Sequence, residues 1–195
     1  MERPTHDPAP GKDDRRPGIF LSRGRGMAHL YHADRVTYHL KQSPIPEFAW
    51  HTSERLAELS GSKHLTFDIR SLDPGKYSYP YHFHRNGEEL FVILEGSALL
   101  RTPEGKQELQ TGDVVFFETG PSGAHQLLNH TEKACKYLDF RTNVGLDVCE
   151  YPDSGKINIL PYQEIYDSAD QVDYFKGEDQ VADKWAAKER GIENE

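Results

Sequence analysis

The sequence predicts an all-β protein, an antiparallel barrel with short helices and an extension at each end. Three observations lead there. After Lys63, short runs rich in β-branched and aromatic residues recur at close, regular spacing. Turn signals such as DPG, RNG, PEG, TGD and PDSG separate them. No helical stretch alternates with them as βαβ units require, which leaves a barrel or sandwich. At 195 residues the chain suits one domain with a real core.

Taken in order, residues 1–17 carry four prolines and many charges without apolar periodicity, the composition of a disordered tail. SRGRGMAH at 22–29 begins like a dinucleotide fingerprint, yet it lacks the third glycine and follows no convincing strand. RVTYHL and IPEFAW read as short extended segments. SERLAELSG at 53–61 reads as a short helix, with Ser53 as its N-cap and Gly61 as its stop. Two turns of helix cannot build a helix-turn-helix reader. The strands that follow are HLTFDIRSL, YSYPYHFH, LFVIL, SALLRT, KQELQ, VVFFE, AHQLLNH, CKYLDFRT, LDVCEY and KINIL. The barrel with its N-terminal strands and helix is expected over 18–163, and an acidic C-terminal arm over 164–195. That arm holds ten acidic and four basic residues, and QVADKWAAKER within it has the composition of a helix.

Composition narrows the partners. A net charge of −9 and scattered Lys and Arg disfavour nucleic acid, so a small molecule is the expected partner. No apolar run approaches the roughly 20 residues of a membrane span. The first residues have no apolar core of a secretory signal, which points to the cytoplasm. Cys135 and Cys149 lie in different strands without CxxC spacing and read as buried thiols.

The chemistry concentrates in YHFHRNGEELFVILEG. Asn-Gly is a strong hairpin signal. With Asn86 and Gly87 at the turn, His84 falls opposite Glu89, His82 opposite Phe91, and Arg85 opposite Glu88. Cross-strand partners share a face, and alternation puts His82 on that face too. Glu89 is therefore a predicted ligand, and Glu88 half of an ion pair with Arg85. Downstream, His125 opens a strand after a glycine-rich loop. It is the natural fourth ligand, with Leu127 and Asn129 on its face and His130 on the other.

These residues resemble the two motifs of the cupin superfamily. The first is Gly75, His82-Phe83-His84, Glu89 and Gly96; the second is Gly112, His125 and Asn129, with Glu118 where the motif has proline and TGPSGA as a longer loop. The wording is most similar to small single-domain bacterial cupins. The resemblance implies a jelly roll, the metal ligands His82, His84, Glu89 and His125, and a homodimer. Three imidazoles and a carboxylate suit one divalent ion of Mn, Fe, Co, Ni, Cu or Zn. Asn129, Arg141 and Phe91 are the candidate substrate-binding residues, although Asn129 equally suits backbone bonding and Arg141 a salt bridge with Asp139 or Asp147. Tyr77, Tyr79 and Tyr81 suit outward packing. The expected function is metal-dependent binding or conversion of a small polar metabolite, as an isomerase- or dioxygenase-like enzyme or as a non-catalytic binding or sensing module.

Overall fold

The structure, a computed structural model, describes residues 28–191. The 1–17 tail and most of SRGRGMAH lie outside the described residues. The chain is all-β, with thirteen strands in three antiparallel sheets among the described residues. The largest sheet runs in the order β1 (Tyr38–Gln42), β2 (Ala49–Ser53), β3 (Leu65–Leu72), β10 (Cys135–Thr142), β5 (Glu89–Glu95), β8 (Val114–Phe117). A four-stranded sheet runs β13 (Glu164–Asp167), β12 (Lys156–Leu160), β11 (Asp147–Tyr151), β4 (Phe83–His84). The third runs β7 (Gly105–Gln110), β6 (Ser97–Thr102), β9 (Gln126–Leu128). This is the jelly roll that the resemblance implies, built from the many short antiparallel strands that the spacing predicts.

Alternation along the strands makes the core. Leu72, Phe91, Ile93, Ala98, Leu100, Leu109, Phe117, Leu127, Cys135 and Tyr137 pack together between the large sheet and the three-stranded one. Gly96 turns the chain from β5 into β6 at φ +80, where an added Cβ would also meet the Ala134 carbonyl at 2.8 Å. Only glycine meets both demands.

The predicted helix is shorter than expected. Helix α1 spans Leu56–Leu59 and buries Leu56 and Ala57. Ser53 is not its cap but the last residue of β2, where its hydroxyl accepts the Ile69 N–H at 3.0 Å. Gly61 follows the helix with φ +66. YSYPYHFH is a strand only at Phe83–His84, with isolated bridges at Tyr77 and His82. The C-terminal arm begins as a strand of the four-stranded sheet, and helix α2 spans Val181–Gly191. Tyr174, Phe175 and Trp185 are 88%, 71% and 72% exposed, so these arm aromatics do not pack on the barrel.

Candidate metal centre

His82, His84, Glu89 and His125 are brought together inside the barrel, each buried. His82 and His125 face each other across an antiparallel bridge, with N–H to carbonyl distances of 3.3 and 2.9 Å. Their rings lie 4.9 Å apart. The loop before His125 is pinned by the Gly120 N–H donating to the His84 carbonyl at 2.8 Å. Phe117 stacks on the His125 ring at 3.7 Å.

The expected route to His84 and Glu89 needs correction. β4 does not pair with β5: it pairs with β11, Cys149 opposite His84, while Glu89 lies between Arg141 of β10 and Phe117 of β8. Residues 85–88 thus cross from one sheet to another. Neither Asn86 nor Gly87 has the positive φ of a type I′ turn. Their N–H groups donate instead to Asp147 Oδ1, at 3.0 and 3.4 Å. The same carboxylate accepts the His84 Nδ1–H through Oδ2 at 2.6 Å. One side chain therefore orients a candidate ligand and shapes the crossing to the next. Convergence survives, with His84 Nε2 3.3 Å from Glu89 Oε2. Arg85 pairs with Glu150 at 2.6 Å rather than with Glu88.

Every Nδ1 of the three imidazoles faces an acceptor: the Pro80 carbonyl for His82 at 2.9 Å, Asp147 for His84, and the Gly123 carbonyl for His125 at 2.9 Å. A neutral imidazole carries one proton, so each Nε2 is left as a lone pair. His125 Nε2 lies 3.2 Å from Glu89 Oε2, and both atoms are buried without a hydrogen-bond partner. Acceptors face acceptors there, which is stable only with a cation or an added proton between them. His84 is the ring that takes the proton when no metal competes: burial opposes it, but Asp147, Cys149 and Glu89 push it up to about 11. Burial, with His125 beside it, drops His82 to about 3. Burial also opposes ionisation of Glu89, yet the His125 and His84 contacts hold its carboxyl well below the usual range. Burial likewise opposes ionisation of Asp147, and His84 holds it down to about 2. The donor set fits a first-row metal ion.

The structure brings together two overlapping donor groups, His82 with Glu89 and His125, and His82 with His84 and Cys149. Asp147 and Cys149 were not among the sequence candidates. Both lie more than sixty residues from His84, and only the β4–β11 pairing reveals them.

The candidate substrate residues divide. Asn129 is fully buried and spends its whole amide locally: Nδ2 donates to the Leu72 and Lys133 carbonyls at 2.7 Å each, and Oδ1 accepts from Thr131 N and Oγ1 at 3.0 and 2.8 Å. It has nothing left for a substrate. Phe91 lies opposite Val115 and Asp139, not His82, and packs in the core against Phe117, His125 and Tyr137. Arg141 does reach the site. Its Nη1 is 3.8 Å from Asp147 Oδ2, and it lines a cavity of about 740 Å³ with Asp147, Tyr79, Trp50, Lys41 and Arg70. Tyr79 packs on Trp50 and edge-on to His82, Tyr77 packs on Phe48, and Tyr81 lies under the Arg101 guanidinium. His130 points away, 3.7 Å from Glu108.

Residues 69–141 match the family of the cupin domain. Those residues, which carry all four candidate ligands, form a cupin domain. Among solved cupin-like structures, a provisionally named sugar phosphate isomerase of Acidithiobacillus ferrooxidans is 24% identical with a TM-score of 0.65, covering 72% of this chain and 90% of its own. A sugar phosphate isomerase of Silicibacter pomeroyi is 20% identical with a TM-score of 0.61, covering 69% and 88%. At this identity the likeness describes the cupin fold. A comparison with curated proteins found no match.

Proposed function

We propose that this cupin binds one divalent transition metal through His82, His84, Glu89 and His125 and acts on a small polar metabolite. The observation that supports it is the cluster of buried acceptors, three Nε2 atoms and a carboxylate, whose members Glu89 Oε2 and His125 Nε2 have no hydrogen-bond partner. A bound metal of this kind supplies Lewis acidity toward a carbonyl or hydroxyl, or a centre for dioxygen chemistry.

The chain's own residues supply the rest. Asp147 fixes the His84 tautomer and leaves Nε2 facing inward. Burial pushes Tyr79 up to about 12, so its phenol stays protonated and offers a donor at the cavity wall. Arg141 offers a cation beside the centre for an anionic group. Arg101, held by Asp153 through two bonds of 2.6 and 2.8 Å, does not line that cavity. An isomerase acting on a polyol with an anionic group is the first reaction to assay, the class named by the two fold neighbours. A non-catalytic sensor is the second reading, favoured by the exposed Tyr174, Phe175 and Trp185 as material for a partner surface.

A homodimer has a suitable face. Leu138, Val92 and Val114 form one cross-strand row on the outside of the large sheet, and Phe67, Phe140, Leu90 and Phe116 the next. The rows end on β8, the last strand of the sheet, where Val114 and Phe116 are 62% and 56% exposed. A second copy carries the same rows and the same free edge, and can cover both.

Elemental analysis of protein purified without added metal or chelator tests the main reading. The wild type should carry one equivalent of a transition metal, and a His82→Ala/His84→Ala variant none. No metal in either, and none on reconstitution, overturns it.

A further inference from the structure

The four-stranded sheet turns polar groups inward that the metal centre does not use. Cross-strand partners share a face, so two rows of side chains run from the histidines across β11 to β12. One row is His84, Cys149 and Asn158; the other is His82, Tyr151 and Lys156. In the second row the rings of His82 and Tyr151 stack, 26° apart in plane and 5.9 Å between centroids. The Lys156 ammonium stands 4.7 Å from the centroid of that same Tyr151 ring. A cation is thus placed one ring away from a candidate ligand.

Both rows end on a group whose hydrogen bonding is incomplete. Lys156 is half-buried, yet it forms no ion pair among the described residues. Asp167, its cross-strand partner on β13, accepts the Ala169 N–H at 2.9 Å instead. The Tyr151 ring attracts the charge and leaves the N–H donors for another group. Asn158 lies beside the Tyr151 hydroxyl, and its Oδ1 is buried without a hydrogen-bond partner. A buried acceptor that lacks a donor is destabilising. A molecule carrying an anionic group and a hydroxyl satisfies both groups at once. Arg141, the other cation near the centre, comes from a different side, with Nη1 3.3 Å from His84 Nδ1 and 3.8 Å from Asp147.

We propose that Lys156 and Asn158 form a ligand subsite beside the metal centre for a hydroxylated anion. Lys156 holds the anionic group, and Asn158 Oδ1 accepts from a hydroxyl. The proposal rests on the metal-binding reading above and names the class of metabolite that the centre receives. Carboxylate and phosphate share the chemistry that the ammonium recognises.

Calorimetric titration of zinc-reconstituted full-length protein tests it, with the metal content of every sample measured. The probes are glycerate, glycerol 3-phosphate and glycerol. At least one of the two anions should bind, and neutral glycerol should not; the anion that binds more tightly tells carboxylate from phosphate. Lys156→Met keeps an unbranched chain over Tyr151 and removes the charge, and should weaken that anion about 10–100-fold at unchanged metal content. Lys156→Arg should recover most of the loss, and Asn158→Leu should cost about 2–10-fold. Wild-type affinity in Lys156→Met or in Asn158→Leu, or no anion bound by the wild type, overturns the proposal while leaving the metal site standing. Protein that takes up no zinc overturns the metal reading and this proposal together. Lys156→Gln provides the same comparison if Lys156→Met fails to fold.

Discussion

Two buried polar clusters lie side by side in the barrel and differ in one respect. Arg70 is held on both sides, Nε to Asp68 at 2.8 Å and Nη1 to Asp139 at 2.5 Å, with Tyr79 at 4.6 Å under its guanidinium. Burial works against that charge, but Asp139 keeps the guanidinium firmly protonated. Cation and anion meet within the chain. In the histidine cluster the inward atoms are all acceptors, and what the chain can set against them is a proton, on His84 or on the Asp139 carboxyl that burial pushes up beside Glu89. Charge matched within the fold is architecture, whereas charge left open inside it marks a place for something from outside.

The largest expected effect comes from breaking the matched cluster. Arg70→Met strands Asp139 and Asp68 without a partner, and removing one member of a buried pair costs about 3–5 kcal/mol. Urea unfolding should show that loss equally with and without chelator. The open cluster should behave the other way. With metal at about 100 times its Kd, occupancy adds about 2.7 kcal/mol, so a chelator should lower Tm by about 5–10 °C. In His84→Ala that chelator response should vanish. A chelator response in Arg70→Met that differs from the wild type's would show the two clusters to be coupled, through the neighbouring Asp139 and Glu89.

The comparison can be sharpened at Asp147, which touches the open cluster from behind. Asparagine there keeps an oxygen for the Asn86, Gly87 and Val148 N–H groups. Its amide nitrogen cannot accept the His84 Nδ1–H, so ring orientation and basicity suffer. Metal affinity should fall about 10–100-fold, measured by competition with a chromophoric chelator. An equal loss of stability in the metal-free protein would instead assign Asp147 a purely structural role.

Much of this was legible in the sequence, and the gaps share a cause. Alternation and turn signals place β3, β5–β8 and β10–β12, because their inward residues are apolar and their boundaries carry Gly or Pro. His82, His84, Glu89 and His125 stand out by residue type and spacing. The path between them does not. Asn-Gly signals a local hairpin, but Asp147, distant in sequence, takes the two N–H groups and turns the chain into another sheet. Asp147 and Cys149 became visible only through the β4–β11 pairing. Ser53 at the helix start and Asn129 after His125 show the same limit. A short polar side chain satisfies whichever backbone groups tertiary structure brings to it, and local sequence does not name them.

The smallest effect should come from Gly87, and it isolates geometry from chemistry. Its φ is not in the left-handed region, so alanine brings no backbone strain. The added Cβ would stand 2.9 Å from Asp147 Oδ2, the atom that accepts from His84, and 3.5 Å from the Arg141 side chain. The carboxylate must therefore withdraw slightly while every donor type is retained. Gly87→Ala should leave the Tm of the metal-free protein almost unchanged and weaken metal binding by less than the roughly tenfold lower bound for Asp147→Asn. Because the proposed ligands themselves are untouched, such a loss would show that the close approach of backbone to carboxylate sets the affinity. Unchanged affinity would mean that Asp147 can hold His84 from a shifted position, and that glycine here serves only the crossing between sheets.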